Sequence, residues 1–355
     1  MKVDKSKWGK KKLSACLQKF KTSEELPKRD YLESGLFPVI SQEKEFISGY
    51  SNRQELVNHI EKPIVIFGDH TRICKYIDFN FIIGADGVKV INPIDEIKSN
   101  YLFYYIKWSN IPSNGYSRHY KFLKAITIKI PPLPEQQSIA LELDAIQSLI
   151  TKYKEQLDDY DNLAKSIFNE MFGDVVSNDK GWERKKLPEI TLNRDNERKP
   201  VSSVMREKLD KIYDYYGACG VIDKIETYIF DGDFLLIGED GANLLTVVKP
   251  NAIIAKGKFW VNNHAHILQC KCNVDILYLC YCFNCIPLKP YITGVAQPKL
   301  NQANLNKILI SLPPLPLQQT FAARITAIES QKDQVKQQIT DLQTLFDSRM
   351  QYYFD

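Results

Sequence analysis

The chain has 355 residues, of which 44% are hydrophobic and 25% charged, and its formal net charge is +4. This length allows two or three domains, and the composition is ordinary for a folded soluble protein. It contains no run of about 18 apolar residues, and no apolar core follows the N-terminal residues 1–5, so we expect neither a membrane-spanning helix nor a signal peptide.

The first globular segment, residues 1–130, opens with a tryptophan and a basic run at residues 8–13 (WGKKKL). The apolar run at residues 63–68 ends in glycine, which predicts a buried strand followed by a turn. An aromatic helical pattern at residues 101–106 and an alternating apolar pattern at residues 126–130 follow. This mixture predicts an α+β domain.

A long helix is predicted in the central segment, residues 131–174. It begins after a proline-rich heptapeptide at residues 131–137 (PPLPEQQ), which we call the proline lead, and prolines suit the first turn of a helix. Apolar residues then recur at alternating steps of four and three from Ile139 to Met171. This heptad pattern is typical of a helix that packs along its length against another helix.

The second half of the chain repeats this order. Residues 182–187 (WERKKL) open a second globular segment, residues 175–312, whose patterns again predict an α+β domain. The proline lead returns at residues 313–319 (PPLPLQQ), 182 residues after the first, and the C-terminal segment, residues 313–355, carries the same heptad pattern with two charged interruptions. We therefore predict two tandem α+β domains, each followed by a long helix, with the two helices pairing as an antiparallel coiled coil. The less favoured alternative is that each helix lies on its own domain.

Charge is distributed unevenly among these four segments. Residues 1–130 carry 22 basic and 14 acidic residues, residues 131–174 carry 3 and 9, residues 175–312 carry 18 and 15, and residues 313–355 carry 4 and 5. A polyanion is therefore expected to meet the globular segments, most firmly the first one. The acidic helices would repel it and are freer to contact protein; Glu142, Asp144, Glu155, Asp158 and Asp159 are candidates, with a solvated face as the alternative.

Loops that mix basic, histidine, hydroxyl and amide side chains are candidates for nucleic-acid contact. Guanidinium groups suit guanine edges, amides suit adenine, ammonium groups suit phosphate, and hydroxyl groups suit either bases or phosphate. The candidates in the first segment are His70, Arg72, Lys89, Ser117, Arg118, His119, Tyr120 and Lys121. Those in the second segment are Lys256, Lys258, Trp260, Asn262, His264, Gln297, Lys299 and Asn301. For any one of them, an ordinary solvated position is the alternative.

The sequence contains no recognisable catalytic motif. It lacks a Gly-x-Gly-x-x-Gly segment, a Walker phosphate loop and the Asn-Pro-Pro-Tyr/Phe motif of amino methylation, and residues 197–199 (ERK) are interpreted as a solvated charge run. The cysteines between residues 270 and 285 lie near two histidines, a spacing that can bind zinc. An apolar helical pattern around the last three favours small core residues instead, and the eight cysteines are expected to be free thiols. We predict no catalytic residue, metal or cofactor in this chain.

The duplicated order of a Trp-initiated α+β segment, a proline lead and a heptad helix resembles the specificity (S) subunits of type I restriction–modification systems. Residues 294–300 (GVAQPKL) are also similar to a Gly-x-x-Gln-Pro-x-Leu segment of such subunits. The first half departs from it: at the 182-residue offset, Gln297 corresponds to Gly115 and Leu300 to Arg118. This difference predicts that the two halves recognise different sequences.

The resemblance implies a non-catalytic, cytoplasmic subunit whose target-recognition domains each bind one half of a bipartite double-stranded DNA target. The paired helices would set the gap between the half-sites and dock two modification subunits. Those partners would carry S-adenosylmethionine and methylate adenine, restriction subunits would complete the nuclease, and no membrane would be involved. Two alternatives stay open, namely a coiled-coil adaptor that binds only protein partners, and a nuclease or methyltransferase with unrecognised motifs.

Overall fold

A computed structural model of the protein describes residues 3–109, 111–112, 115, 117–294 and 297–355. The chain forms two compact units. The first unit contains residues 1–155 and 336–355, and the second contains residues 156–335, so each has one globular part and a section of both long helices. Among the described residues, no helix is both long enough and apolar enough to cross a membrane. The sequence-based division at residues 130, 174 and 312 stays a prediction.

The globular part of the first unit has an α+β fold. Its strands are β1 Gly9–Lys12, β2 Phe37–Ile40, β3 Gly49–Ser51, β4 Val57–Asn58, β5 Ile64–Gly68, β6 Cys74–Ile77, β7 Phe81–Ile83, β8 Val88–Ile91 and β9 Thr127–Ile130. Its helices are α1 Ser99–Trp108 and α2 Tyr120–Ala125, and the long helix α3 Leu133–Phe172 follows. The described strands pair in the orders β1-β9, β3-β2-β7-β4 and β6-β5-β8.

Strand β5 lies at the centre of the first unit's core. All of its residues are buried, and it pairs antiparallel with β6 on one side and β8 on the other. Helix α1 packs its aromatic residues against this sheet. Trp8 joins the same core, and its indole N–H donates a hydrogen bond of 3.0 Å to the Glu135 carboxylate in the first turn of α3. The predicted strand at residues 63–68 and the predicted helix at residues 101–106 are confirmed.

The globular part of the second unit repeats this plan. Its strands are β10 Glu183–Lys186, β11 Thr191–Asn193, β12 Tyr213–Gly217, β13 Gly220–Ile225, β14 Phe230–Asp231, β15 Phe234–Gly238, β16 Ala252–Ala255, β17 Lys258–Val261, β18 Ala265–Cys270 and β19 Leu309–Leu312. Its helices are α4 Leu187–Ile190, α5 Ser203–Arg206, α6 Asn243–Thr246, α7 Ile276–Cys285 and α8 Gln302–Leu305, followed by the long helix α9 Leu315–Phe354. The buried strand β15 pairs with β16 and β18 and so takes the place of β5.

Two of the three cysteines of α7, Cys280 and Cys282, pack in the core of the second unit, whereas Cys285 is exposed, which corrects its predicted core position. Cys282 is fully buried, and burial raises the pKa of the Cys280 and Cys282 thiols to about 12, so both are neutral at physiological pH. Within the described ranges, no group of three His, Cys, Asp or Glu side chains is placed to hold a metal ion.

The proline leads anchor the two long helices through one glutamine each. The buried Gln136 amide accepts a hydrogen bond of 2.8 Å from the Lys98 N–H, directly before α1, and donates to the Glu96 and Pro131 carbonyls. In the second unit the buried Gln318 amide likewise accepts from the Asp275 N–H, directly before α7, at 2.9 Å. The repeated glutamine thus fixes the start of each long helix on its own globular part.

The two long helices run antiparallel to each other within each unit. In the second unit, Phe321 near the start of α9 packs against Phe172 at the end of α3, and Lys332 forms an ion pair of 2.7 Å with Asp161. In the first unit, Arg349 forms an ion pair of 2.7 Å with Glu142. The predicted pairing is confirmed. Both charged interruptions of the heptad pattern are paired with a carboxylate on the facing helix.

Candidate nucleic-acid interface

Asp69 organises the polar loops of the first unit. It directly follows the glycine that ends β5, and it is 3% exposed. Its backbone N–H donates to the Gly87 carbonyl, its carbonyl accepts from the His119 N–H, and its carboxylate accepts from the Tyr120 N–H, all at 2.7–2.8 Å. One residue therefore brings together the loops at residues 69–72, 84–87 and 117–120.

Several predicted contact residues surround this anchor. Arg118 and Lys121 are exposed, Arg72 is exposed and donates from Nη1 to the Ile111 carbonyl at 2.9 Å, and Tyr120 is half-buried. Burial, with a further contribution from the Asp69 charge, raises the pKa of Tyr120, so its hydroxyl stays protonated. These groups form a cationic, hydrogen-bonding surface at one end of β5. Tyr116, which belongs to the predicted loop at residues 115–121, lies outside the described residues.

The remaining candidates of the first unit are less accessible. His70 and Ser117 are half-buried in the same loops, and Lys89 is half-buried on β8 beside Phe67. His119 is 1% exposed, and its ring nitrogen Nδ1 lies 2.9 Å from the Asp69 carbonyl oxygen. A side chain enclosed in this way joins two loops of the protein, and the predicted contact of His119 with DNA stays a prediction.

A network of buried charges occupies the corresponding place in the second unit. Glu239 follows the glycine that ends β15, and its carboxylate lies 2.7 Å from Arg198 and 3.2 Å from Lys299. Arg198 also lies 3.6 Å from Asp195, which is 2.6 Å from His266 Nδ1. Only Lys299 among these side chains is substantially exposed, at 51%.

The carboxylates of this network are held in their ionised form. Burial alone raises the pKa of Glu239. The hydrogen bond from Arg198 and the nearby His266 and Lys299 lower this pKa by more than burial raises it, so the net shift is downward. Asp195 behaves in the same way, with burial outweighed by the hydrogen bonds from His266 and its neighbours. The buried acidic and basic side chains of the cluster therefore compensate each other's charge, and Lys299 lies at the surface of the cluster.

The loop at residues 293–299, which we call the Gln297 loop, is closed at its base. Thr293 and Lys299 exchange two backbone hydrogen bonds of 2.8 and 2.9 Å. Gly294 has a φ of +83°, and a Cβ there would meet the Gln297 carbonyl at 2.5 Å, so the tight turn requires glycine. Gln297 is exposed. Val295 and Ala296, which belong to the predicted loop, lie outside the described residues.

The other candidates of the second unit divide into two groups. His264 is exposed and its Nδ1 lies 2.8 Å from the Asp240 carboxylate, so it joins the rim of the network. Lys256, just before β17, and Lys258, at its start, are exposed, and Lys258 lies over the ring of Tyr228.

Three of the predicted contact residues form hydrogen bonds within the second unit. Asn262 is 7% exposed and its side-chain oxygen accepts a hydrogen bond from the His264 N–H, and its contact with DNA stays a prediction. The Asn301 side chain accepts from the Asn304 N–H and so caps helix α8. The half-buried Trp260 donates its indole N–H to the Lys199 carbonyl.

Each unit contains an equivalent backbone hydrogen bond, from the recognition loop to the acidic residue that follows the central strand. The Asp69 carbonyl accepts from the His119 N–H, and the Glu239 carbonyl accepts from the Leu300 N–H, each at 2.8 Å. His119 therefore corresponds to Leu300, and Arg118 corresponds to Lys299. This corrects the match of Arg118 with Leu300. The hydrogen-bonded residues His119 and Leu300 are one position fewer apart in the sequence than the 182 positions that separate the two proline leads. An exposed cation precedes the anchored residue in both units.

Sequence reasoning missed the residues that organise both sites. Asp69 and Glu239 were not singled out, although each follows the glycine of a buried strand, in FGDH and IGED respectively, and this shared pattern could have identified them. Arg198 was interpreted as part of a solvated charge run, but its side chain is 15% exposed and paired. No sequence signal distinguishes a paired arginine from a solvated one.

The family model described as the type I restriction modification DNA specificity domain matches residues 5–159 and 179–343, which is most of the chain. The chain belongs to this family. Each match covers one globular part and a section of the helix that follows it.

Family relatives match shorter parts of the chain. A Haemophilus influenzae protein named as a type I restriction enzyme specificity subunit is 35% identical over 148 residues, 41% of this chain and 37% of that protein. An Escherichia coli type I restriction enzyme specificity subunit is 28% identical over 173 residues, 46% of this chain and 43% of that protein. The chain thus matches less than half the length of these two relatives.

Solved structures share the fold over nearly the whole chain. The S subunit of a type I restriction–modification system from M. genitalium superposes with a TM-score of 0.66, covering 100% of this chain and 98% of that one, at 15% identity. A chain from a structure on the assembly and conformational transition of the type I restriction–modification system gives a TM-score of 0.52 at 14% identity, covering 97% and 96%. The family's arrangement of two α+β parts and two long helices is therefore the fold of this chain.

Proposed function

We propose that this chain is the DNA sequence-specificity subunit of a type I restriction–modification complex. Each α+β domain recognises one half of a bipartite double-stranded target. The observation that supports this best is the duplication itself: the family's specificity domain occurs twice, and each copy presents an exposed cation, Arg118 or Lys299, beside an acid-anchored loop. Two unlike copies of one recognition domain suit a target made of two unlike half-sites.

The exposed side chains divide between base and phosphate contact. The forked guanidinium of Arg118 suits the O6 and N7 acceptors of guanine, and the Gln297 amide suits the N6 and N7 atoms of adenine in the major groove. Lys121 and Lys299 carry point charges that suit phosphate. The excess of 22 basic over 14 acidic residues in residues 1–130 provides a long-range attraction to DNA.

The long helices supply spacing and protein contacts. In the proposed complex they fix the gap between the half-sites and dock two modification subunits, which bind S-adenosylmethionine and methylate adenine in the cytoplasm. Restriction subunits complete the nuclease, and this chain contributes specificity without catalysis. The acidic side chains of Glu155, Asp158 and Asp159 are exposed on α3 and available for such contacts, whereas Glu142 and Asp144 already bind side chains of the first unit.

The decisive experiment is a methylome. The chain is co-expressed with a cognate modification subunit in a host that lacks other adenine methylation, and N6-methyladenine is mapped by long-read sequencing. We expect a gapped, two-part motif that disappears when this chain is omitted. An ungapped motif would mean that one domain alone recognises DNA. No methylation, in cells where the complex demonstrably forms, would count against the proposal and favour an adaptor that binds only protein.

A further inference from the structure

Leu300, the residue directly after the Gln297 loop, is held through both of its backbone polar groups. Its N–H donates to the Glu239 carbonyl at 2.8 Å, and its carbonyl oxygen lies 2.7 Å from His266 Nε2. Together with the paired Thr293 and Lys299, this leaves the base of the loop with little backbone freedom. The Gln297 loop is thus fixed to the rest of the unit through the backbone of Leu300, and Gln297 lies three residues before this point.

His266 is the residue that connects this attachment to the rest of the unit. It lies on β18, is 1% exposed, and its Nδ1 is 2.6 Å from the Asp195 carboxylate. A carboxylate and a carbonyl are both acceptors, so both ring nitrogens act as donors. The imidazole therefore bridges a central strand, the segment around Asp195 and the base of the Gln297 loop.

Glu239 completes the attachment from the opposite side. Its carboxylate contacts Lys299 and Arg198, and Arg198 also donates to the Ala265 carbonyl, next to His266, at 2.8 Å. The backbone and the charged side chain at the base of the loop are thus both held by buried groups. Among the described side chains of the loop, Gln297 is exposed and Lys299 is 51% exposed.

We propose that His266 is a positioning residue for base recognition by the second domain, which it serves by fixing the Gln297 loop without contacting DNA. This inference rests on the proposed function. A bidentate amide contact to adenine depends on accurate placement of the amide group, whereas a phosphate contact tolerates movement. Releasing the loop therefore reduces sequence selectivity in one half-site and leaves most of the affinity for DNA intact.

The loop attachment can be tested directly on the full chain by limited trypsin digestion. Trypsin cleaves after Lys299 only when the backbone around that bond opens. We expect His266→Ala to accelerate this cleavage about tenfold or more, with other cleavage rates unchanged. His59→Ala, at an exposed histidine of the first unit, is the matched control. An unchanged rate at Lys299 in a folded His266→Ala protein would overturn the proposal.

The consequence for recognition is tested by the methylome of the same variant. We expect one half of the gapped motif to become degenerate at one or more positions while the other half stays intact. An unchanged motif, or an equal loss in both halves, would contradict a positioning role in the second domain. If the unmodified chain itself yields no gapped motif, it is the proposed function that fails.

His266→Ala removes one partner of the buried Asp195 carboxylate, which keeps Asn193, the Ile267 N–H and the more distant Arg198, and this loss is expected to destabilise the second unit. Faster cleavage throughout residues 175–312 would reveal such unfolding. The double variant Asp195→Asn/His266→Gln removes both partners of the Asp195–His266 pair, and the glutamine amide keeps a donor for the Leu300 carbonyl. We expect it to restore slow cleavage at Lys299 and part of the lost selectivity; a folded double variant that cleaves and methylates like His266→Ala would contradict the proposal.

Discussion

Single side chains at the two sites show what residue type can and cannot predict. Arg118, Gln297 and Lys299 were chosen for their hydrogen-bonding groups, and the structure exposes all three. His119 and Asn262 were chosen for the same reason and are buried. A polar loop residue turns inward when a buried backbone group needs a partner, and that need depends on loops distant in sequence.

Arg118 offers a test that separates base contact from phosphate contact. We expect Arg118→Ala to reduce selectivity at one base of one half-site about tenfold or more, since a bidentate contact contributes about 1–3 kcal/mol of discrimination. Arg118→Lys keeps the charge but loses the fork, so it should change the motif as Arg118→Ala does. The measurement is the methylome of each variant. A normal motif with Arg118→Lys would assign Arg118 to phosphate.

The regular elements were predictable where their pattern is local. The heptad seam predicted α3 and α9, and the apolar run at residues 63–68 predicted β5. The order of the strands in each sheet could not be read from these patterns, because pairs such as β1 with β9 join residues more than 100 positions apart. The proline lead was recognised as a repeat, but the anchoring role of its first glutamine depends on contacts with the segment before α1 or α7.

The two adjacent glutamines of the first proline lead provide a matched pair of substitutions. Gln136 is buried and makes three hydrogen bonds, whereas Gln137 is exposed. We expect Gln136→Ala to lower the free energy of unfolding of the first unit by about 2–4 kcal/mol, because one buried and two part-buried backbone groups lose their partner. Gln137→Ala should change it by less than about 0.5 kcal/mol.

Urea unfolding followed by circular dichroism gives the comparison. Equal effects of the two substitutions would show that the helix start does not depend on this anchor.

At the scale of the whole molecule, duplication was the most informative feature of the sequence. Two proline leads and two tryptophan openings predicted two copies of one plan, and the family match covers both. The uneven charge, with the excess in residues 1–130, predicted which surfaces meet a polyanion. The bases recognised cannot be deduced in this way, because they depend on the positions of a few side chains relative to a DNA groove.

Binding to DNA should weaken steeply with salt. Counterion release predicts a linear fall of log K with log salt concentration, amounting to about 10³-fold or more between 50 and 200 mM for six or more phosphate contacts. Fluorescence anisotropy of the complex with target and scrambled duplexes measures both slopes. Lys121→Ala should reduce the slope by about one phosphate contact for both duplexes. A binding constant that does not depend on salt would argue against phosphate contacts and favour a surface that binds protein partners.

The ion pairs between the long helices also determine which helices can become partners. Both helices carry the same heptad pattern, and this pattern alone also allows two α3 helices or two α9 helices from different chains to pair in the same register. Pairing α3 with another α3 would set Glu142 opposite Ile167, and pairing α9 with another α9 would set Arg349 opposite Arg324. Carboxylates would face hydrocarbon in the first case and cations would face each other in the second. The charges thus disfavour pairing of two identical helices. Among newly synthesised chains they favour the pairing of each α3 with an α9.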